Sequence, residues 1–113
     1  MSAQMLSLFL RAVALVETGN DPSAIGAAGE RGRFQMTPAV VATCGGYGDR
    51  EAARWERQLE RELLASGIEP LPFNVALAWN AGAGAVKRGK APVASYQYAV
   101  RVVNLMEQLK NQN

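Results

Sequence analysis

Two long apolar stripes at helical spacing, one near each end of the chain, constrain the fold more than any other feature. Residues three and four apart share one face of a helix, so such a stripe marks a buried side. The first stripe is Met5, Leu8, Phe9, Ala12, Val13 and Val16, and the second is Ala99, Val102, Val103, Met106 and Leu109. Each stripe needs an apolar partner to exclude water. The sequence therefore predicts that a first helix, Met5 to Glu17, packs against the last helix.

Capping and helix-breaking residues predict a short second helix and a longer third one. Thr37 followed by Pro38 is a typical helix start, and Gly45 ends that helix. Asp49 is predicted to cap a third helix from about Arg50 to Ser66. Its apolar stripe is Ala52, Trp55, Leu59 and Leu63, and its Glu- and Arg-rich face, which includes Glu56, is predicted to be solvated and salt-bridged.

The C-terminal half is predicted to hold two more helices. Pro72 opens a fourth helix that runs through Asn80, the segment from Gly84 to Pro92 reads as a basic loop, and Ser95 caps the last helix. The whole predicts one domain over residues 1–113. The fold class is all-α, or nearly so, with about five helices, and this length supports a single modest core.

The composition restricts the chemistry open to the chain. It has no histidine, which excludes Ser-His and Cys-His catalysis and His-containing zinc sites. Cys44 is the single cysteine, lies at the end of an apolar run, and is read as a buried, inert thiol. We expect no metal and no cofactor. Acid–base work therefore falls to carboxylates, tyrosine or lysine.

Charge and hydropathy limit the partners. The net charge of +2 and pI near 9.0 suit an anionic polymer such as cell wall, but are too weak to indicate nucleic acid. No segment is long and apolar enough for a transmembrane helix. The N-terminus has neither a basic region nor a small-residue cleavage site, so we expect no signal peptide in this chain.

The first candidate for chemistry is Glu17, which lies at the edge of the first apolar stripe. Partial burial there raises the pKa of a carboxyl and favours its protonated form near neutrality. A glycosidic oxygen needs such a general acid. The alternative is a glutamate in solvent at the end of a helix.

Four ordered motifs add context to this glutamate. They are Glu17-Thr-Gly-Asn-Asp-Pro-Ser-Ala, Gly29-x-x-Gly32-x-Phe34-Gln35-Met36-x-Pro38, Ala78-Trp79-Asn80-Ala81-Gly82 and Tyr98-Ala-Val-Arg-Val102. In this order they resemble the soluble lytic transglycosylase domain of the lysozyme-like superfamily, which is related to goose-type lysozyme. The match spans roughly residues 10 to 108, and four ordered pieces are a stronger signal than any one of them.

The resemblance implies an α-helical fold with a glycan-binding cleft. It also implies cleavage of the β-1,4 bond between N-acetylmuramic acid and N-acetylglucosamine in peptidoglycan. By the match, Glu17 is the catalytic acid/base, Gln35 lines the cleft, Asn80 lies near the substrate's N-acetyl group, and Tyr98 lies close to the acid. Phe34 belongs to the same motif as Gln35, and with Trp79 it completes the candidate substrate-binding set.

Three positions depart from the family pattern. Thr18 replaces a serine, Trp79 replaces a tyrosine, and Glu30 stands where alanine is usual. Trp79 keeps a stacking face for a sugar ring, or is simply part of the core. Glu30 is a candidate second catalytic carboxylate that activates water, as in a true lysozyme. The alternative is a structural glutamate that pairs with Arg31 or Arg33, or bonds loop amides, and faces away from the cleft.

Two classes of function follow. The first is a peptidoglycan-cleaving enzyme that works extracytoplasmically, as its substrate requires, and forms a 1,6-anhydro product with Glu17 alone or hydrolyses with Glu30. The second is a non-catalytic glycan-binding or assembly module. In either class the expected partner is the glycan strand, and a monomer is favoured.

Overall fold

The computed structural model describes residues 1–112 and is helical, with no strand in that part of the chain. Its six helices are α1 (Ala3–Thr18), α2 (Pro38–Cys44), α3 (Asp49–Ala65), α4 (Pro72–Ala81), α5 (Ala83–Lys87) and α6 (Val93–Asn111). The all-α prediction is confirmed. The expected count of five was one short because the start of the predicted basic loop is the helix α5.

The two predicted stripes do meet. α1 packs along α6, with Phe9, Val13 and Val102 fully buried and Met106 8% exposed. The stripe of α1 is rotated slightly from the predicted one, because Leu6 and Ala14 are buried whereas Met5 is 40% exposed. α4 lies at the centre against α3, α5 and α6. Its four consecutive residues 75–78 are buried, so it is apolar on every side.

Helix ends follow local chemistry, and two predicted caps were wrong. The Thr37 hydroxyl accepts from the Val40 amide (3.3 Å) as expected, and Gly45 ends α2 in the left-handed region with φ 85°. Asp49 does not cap α3. The N-cap is Gly48, whose amide donates to Glu51 Oε1 at 3.0 Å. Nor does Ser95 cap α6, which begins two residues earlier, after Pro92.

The largest departure from the sequence pattern is Glu56, which was expected on a solvated face. It is fully buried, and within residues 1–112 no N–H or O–H group donates a hydrogen bond to either of its carboxyl oxygens. Burial, the hydrogen bond with Glu60 and the charge of Glu60 raise the pKa of Glu56 to about 8. The Glu60 carboxylate accepts from the Met1 ammonium at 2.7 Å. Two carboxylates cannot donate to one another, so Glu56 bonds Glu60 only when Glu56 carries a proton.

Within residues 1–112, none of the helices has both the length and the apolar character required to cross a membrane.

Candidate active site

Glu17 occupies the last turn of α1, just before the left-handed Gly19 (φ 65°) ends the helix. Its side chain is half-buried. The Tyr98 hydroxyl on α6 donates to Glu17 Oε2 at 2.9 Å. Because α1 and α6 pack along their apolar stripes, this buried tyrosine is directed at the end of α1. The contact joins residues 81 positions apart in the sequence.

The surroundings of Glu17 favour a protonated carboxyl. Burial is the largest influence and raises the pKa of Glu17, and the negative charge of Glu30 raises it further. The Tyr98 hydrogen bond and the Arg101 charge act in the opposite direction and are outweighed. Among residues 1–112, no lysine or arginine nitrogen lies within 4.0 Å of this carboxyl. The predicted rise in pKa, with desolvation as its main cause, is therefore confirmed.

Tyr98 acts as a donor under all ordinary conditions. Its side chain is 4% exposed. Burial and the nearby negative charge of Glu17 raise the pKa of Tyr98 far above its usual range, so the phenol keeps its proton. With so little surface, Tyr98 cannot offer its ring to a sugar as a substrate-binding residue should. Tyr98 contributes to the site through the hydrogen bond that its hydroxyl donates to Glu17.

Thr18 ties the following loop to the end of α1. Its hydroxyl donates to the Arg33 carbonyl at 3.0 Å and accepts from the Asp21 amide at 2.9 Å. Sequence reasoning treated Thr18 only as a mild change from serine and missed this role. The signal was available, because a hydroxyl beside a helix end commonly bonds nearby backbone groups.

Gln35 lies in the loop in a conformation that few residues adopt. Its φ is +50°, and the loop around it is closed by the pair of backbone bonds between Arg31 and Met36 (2.9 and 3.0 Å). The side-chain nitrogen Nε2 donates to the Gly32 carbonyl at 2.9 Å. In the described chain, Gln35 Oε1 has no donor from the protein, so it remains an acceptor for a ligand.

The sequence allowed two roles for Glu30, a structural glutamate or a second catalytic carboxylate, and its contacts have features of both. Its Oε1 accepts from the Ala28 amide at 2.8 Å, as a structural glutamate would. The other contact that the sequence allowed for a structural Glu30, an arginine pair, is absent from residues 1–112: Arg31 lies over the Tyr47 ring (5.0 Å) and Arg33 bonds Asn20 (3.2 Å).

Although a loop amide holds Glu30, its carboxyl lies beside the Gln35 side chain. A Cβ added to Gly26 would lie 2.6 Å from Gln35 Oε1 and 2.7 Å from Glu30 Oε1. The two side chains therefore converge on the same small space. The missing side chain at position 26 is what allows both to fit, a requirement that sequence reasoning did not detect.

A groove of about 220 Å³ lies beside these residues, and Gln35, Trp79 and Asn80 line it. The half-buried Trp79 ring meets Phe9 edge to face, with centroids 5.9 Å apart, so it serves the core and the groove together. The buried Ser95 hydroxyl donates to Asn80 Oδ1 at 2.7 Å, which leaves Asn80 Nδ2 as a donor. Ser95 was mistaken for a helix cap, and its contact with Asn80 was missed.

Two placements differ from the sequence-based expectation. Phe34 is 3% exposed and belongs to the core, so it has almost no surface with which to contact a substrate. Glu17 was expected at the floor of the groove, but it is not among the residues that line the groove around Trp79. Its carboxyl instead accepts a hydrogen bond from Tyr98 and lies close enough to Glu30 to be affected by that residue's charge.

Comparison of the chain with protein-family models, with curated proteins and with solved structures finds no match.

Proposed function

We propose that this chain cleaves the β-1,4 bond between N-acetylmuramic acid and N-acetylglucosamine in peptidoglycan. The proposal rests chiefly on one observation. Glu17 is a half-buried carboxyl with a raised pKa, no cationic partner in the described chain, and a tyrosine hydroxyl at 2.9 Å. A raised pKa and the absence of a cationic partner are what a general acid requires.

In the proposed reaction, protonated Glu17 donates its proton to the glycosidic oxygen as the bond to the anomeric carbon breaks. The same carboxylate then takes the proton of the muramoyl 6-hydroxyl, whose oxygen attacks the anomeric carbon and closes a 1,6-anhydro ring. Glu17 ends protonated, as it began, and no water is consumed. The Tyr98 hydroxyl stabilises the carboxylate between the two steps.

The groove supports the substrate class. Gln35 Oε1 is a free acceptor, and Asn80 Nδ2 is left as a donor by the Ser95 hydrogen bond. A secondary amide such as the acetamido group of an N-acetyl sugar carries one donor and one acceptor, so this pair matches it. Trp79 supplies an aromatic surface at the same groove.

A hydrolytic reaction is the second candidate, and the position of Glu30 favours it. The charge of Glu30 reaches Glu17, and one Glu30 oxygen is held by the Ala28 amide. A second carboxylate near the acid is what water activation requires. A glycan-binding or assembly module without catalysis is the third candidate, and it has no need of a protonated Glu17.

Clearing of purified cell-wall sacculi tests the proposal. We expect wild type to clear them and Glu17→Gln to lose about 10²–10⁴-fold in rate, the usual contribution of a general acid. Glu69→Gln, an exposed glutamate, is the matched control and should clear normally. Clearing by Glu17→Gln at the wild-type rate would exclude Glu17 as the acid. Clearing by neither, with retained glycan binding, would favour the binding module.

Glu30→Ala separates the two reaction types. If Glu30 is structural, a stably folded Glu30→Ala protein keeps most of its activity. Loss of turnover with unchanged folding and unchanged glycan binding would assign the catalytic role to Glu30. By substrate, the proposed enzyme works outside the cytoplasm on glycan strands.

A further inference from the structure

A second groove, of about 340 Å³, lies along α1 and is lined by three arginines. Its apolar part includes Leu6, Leu10 and Phe34. Arg11 of α1, Arg33 of the loop and Arg57 of α3 line the same space, together with one carboxylate, Asp49. We call this the arginine groove. With three cations and one anion, its lining carries as much net positive charge as the whole chain.

Two of the three guanidinium groups are available to a ligand. Arg33 donates to Asn20 Oδ1 at 3.2 Å and lies 3.9 Å from Asp49. Arg11 and Arg57 are exposed, and within residues 1–112 neither has a carboxylate within 4.0 Å. Unpaired guanidinium groups beside an apolar floor suit a ligand that carries carboxylates next to small apolar groups.

The arginine groove follows the face of α1 that also carries the candidate acid, Glu17, one turn further along the helix. It is lined by residues 3, 6, 7, 10, 11 and 14 of α1, which share one face at steps of three and four. The next positions on that face are Glu17 and Thr18. The Thr18 hydroxyl also bonds the Arg33 carbonyl at 3.0 Å, so the loop end of the groove is fixed to the end of α1.

We propose that the arginine groove binds an acidic peptide. On the proposed function, on which this identification rests, that peptide is the stem attached to the muramoyl residue of the glycan strand. Carboxylates of the stem would bond Arg11 and Arg57, and its small methyl side chains would contact Leu6 and Leu10. Nucleic acid fits less well, because the groove floor is aliphatic apart from the buried Phe34, and single strands bind exposed aromatic platforms.

The first test is a titration of the isotope-labelled full chain, followed by nuclear magnetic resonance. The probe is the synthetic tetrapeptide Ala–γ-D-Glu–Lys–D-Ala with both of its amines acetylated, which leaves a net charge of −2 from its two carboxylates, and its control is the same peptide with both free carboxyls amidated. We expect shifts at the arginine groove with the acidic peptide alone. The double variant Arg11→Glu/Arg57→Glu should bind about tenfold more weakly. Arg88→Glu/Lys90→Glu, an equal charge change at two exposed residues outside this groove, should bind as wild type does.

Several results would overturn the proposal. They are no binding, equal binding of the amidated peptide, shifts elsewhere on the chain, or tighter binding of a single-stranded oligonucleotide of equal charge. Circular dichroism checks the fold of the double variant. If that variant unfolds, Arg11→Gln/Arg57→Gln takes its place with the same expectation.

A second test separates this proposal from the proposed function. Cleavage is measured on intact sacculi and on glycan strands stripped of their peptides. Charge reversal at Arg11 and Arg57 should slow cleavage of intact sacculi and leave cleavage of stripped strands unchanged. Equal slowing on both substrates would contradict peptide binding. Failure of the wild type to cleave either substrate, with the tetrapeptide still bound, would reject the glycosidase and retain the peptide site.

Discussion

At the scale of single residues, the most important feature is the Glu17 carboxyl, whose environment opposes ionisation. Sequence reasoning reached Glu17 because its place at the edge of an apolar stripe is a local property. It could not derive the partner from spacing, since Tyr98 is 81 positions away and only the packing of α1 on α6 brings them together. The resemblance to a known family suggested that contact, and the structure contains it.

The substitution Tyr98→Phe tests whether the Tyr98 hydrogen bond lowers the pKa of Glu17 against the effect of burial. The Tyr98 hydrogen bond favours the carboxylate form, so its removal should raise the pKa of Glu17 further. Losing one buried hydrogen bond should cost about 1 kcal/mol of unfolding free energy. A carbon-detected titration of the Glu17 carboxyl measures the pKa. Tyr96→Phe, at an exposed ring, should change neither quantity. A fall in the pKa of Glu17 in the Tyr98 variant would contradict the inference that this hydrogen bond favours the carboxylate form.

Gly26→Ala tests whether the arrangement of Gln35 and Glu30 matters for function rather than for folding. An added Cβ would lie 2.6 Å from Gln35 Oε1 and 2.7 Å from Glu30 Oε1, and both are tips of flexible side chains. They can move aside, so the unfolding free energy should change by less than about 1 kcal/mol. Misplacement of site groups should lower activity about 10–100-fold.

The matched control for Gly26→Ala is Gly48→Ala, whose added Cβ would meet only Glu51 Oε1 at 3.1 Å, at the start of α3. It should keep full activity. Wild-type activity in a folded Gly26→Ala protein would show that the positions of Gln35 and Glu30 are not important for turnover.

At the scale of secondary structure, the sequence predicted the helices well and some of their ends badly. Thr37 and Pro38 are two start signals that agree, and α2 begins there. Ser95 is a single signal, and its hydroxyl instead bonds Asn80 across to α4. α5 was missed because the segment after Gly82 is short and rich in glycine and lysine. Its hydrogen bonds form over one turn, too few to leave a periodic pattern.

Helix α3 shows why charge patterning can mislead. The alternation of Glu and Arg suggested a solvated face, but Glu56 shares the buried side with Leu59 and Leu63. A sequence pattern cannot distinguish a buried glutamate that carries a proton from an exposed one that does not. The packing of α3 on its neighbours decides whether Glu56 is buried or exposed.

The buried Glu56 makes stability depend on pH. Its pKa is about 8 in the folded protein and ordinary in the unfolded chain, so the folded state binds the extra proton between these values. Stability should therefore be highest at or below about pH 5 and fall as the pH rises through about 8. Urea unfolding at several pH values measures this.

Glu56→Gln removes the titrating group and keeps a donor for Glu60. It should weaken the pH dependence and raise the unfolding free energy near pH 8 by about 1–3 kcal/mol, because no charge is then forced into the core. Glu107→Gln, at an exposed position, should leave the wild-type profile unchanged. An unchanged profile in Glu56→Gln would mean that Glu56 does not cause the dependence.

At the scale of the whole molecule, the fold was predictable because its main determinant is local. Apolar periodicity identifies α1 and α6, and their shared need for a partner predicts that they pack together. The site was predictable only in part. Gln35, Trp79 and Asn80 do line one groove, whereas Phe34 lies in the core. Motif spacing identifies the loop, but the burial of each side chain depends on contacts from distant segments.

Cleavage by Glu17 is best tested by mass spectrometry of the soluble products that the protein releases from purified sacculi. We expect muropeptides that end in 1,6-anhydro-muramic acid, lighter by one water than hydrolysed products, from wild type and not from Glu17→Gln. The same products from Glu17→Gln at the wild-type rate would contradict the role of Glu17. Products with reducing ends alone would contradict cleavage by one carboxyl.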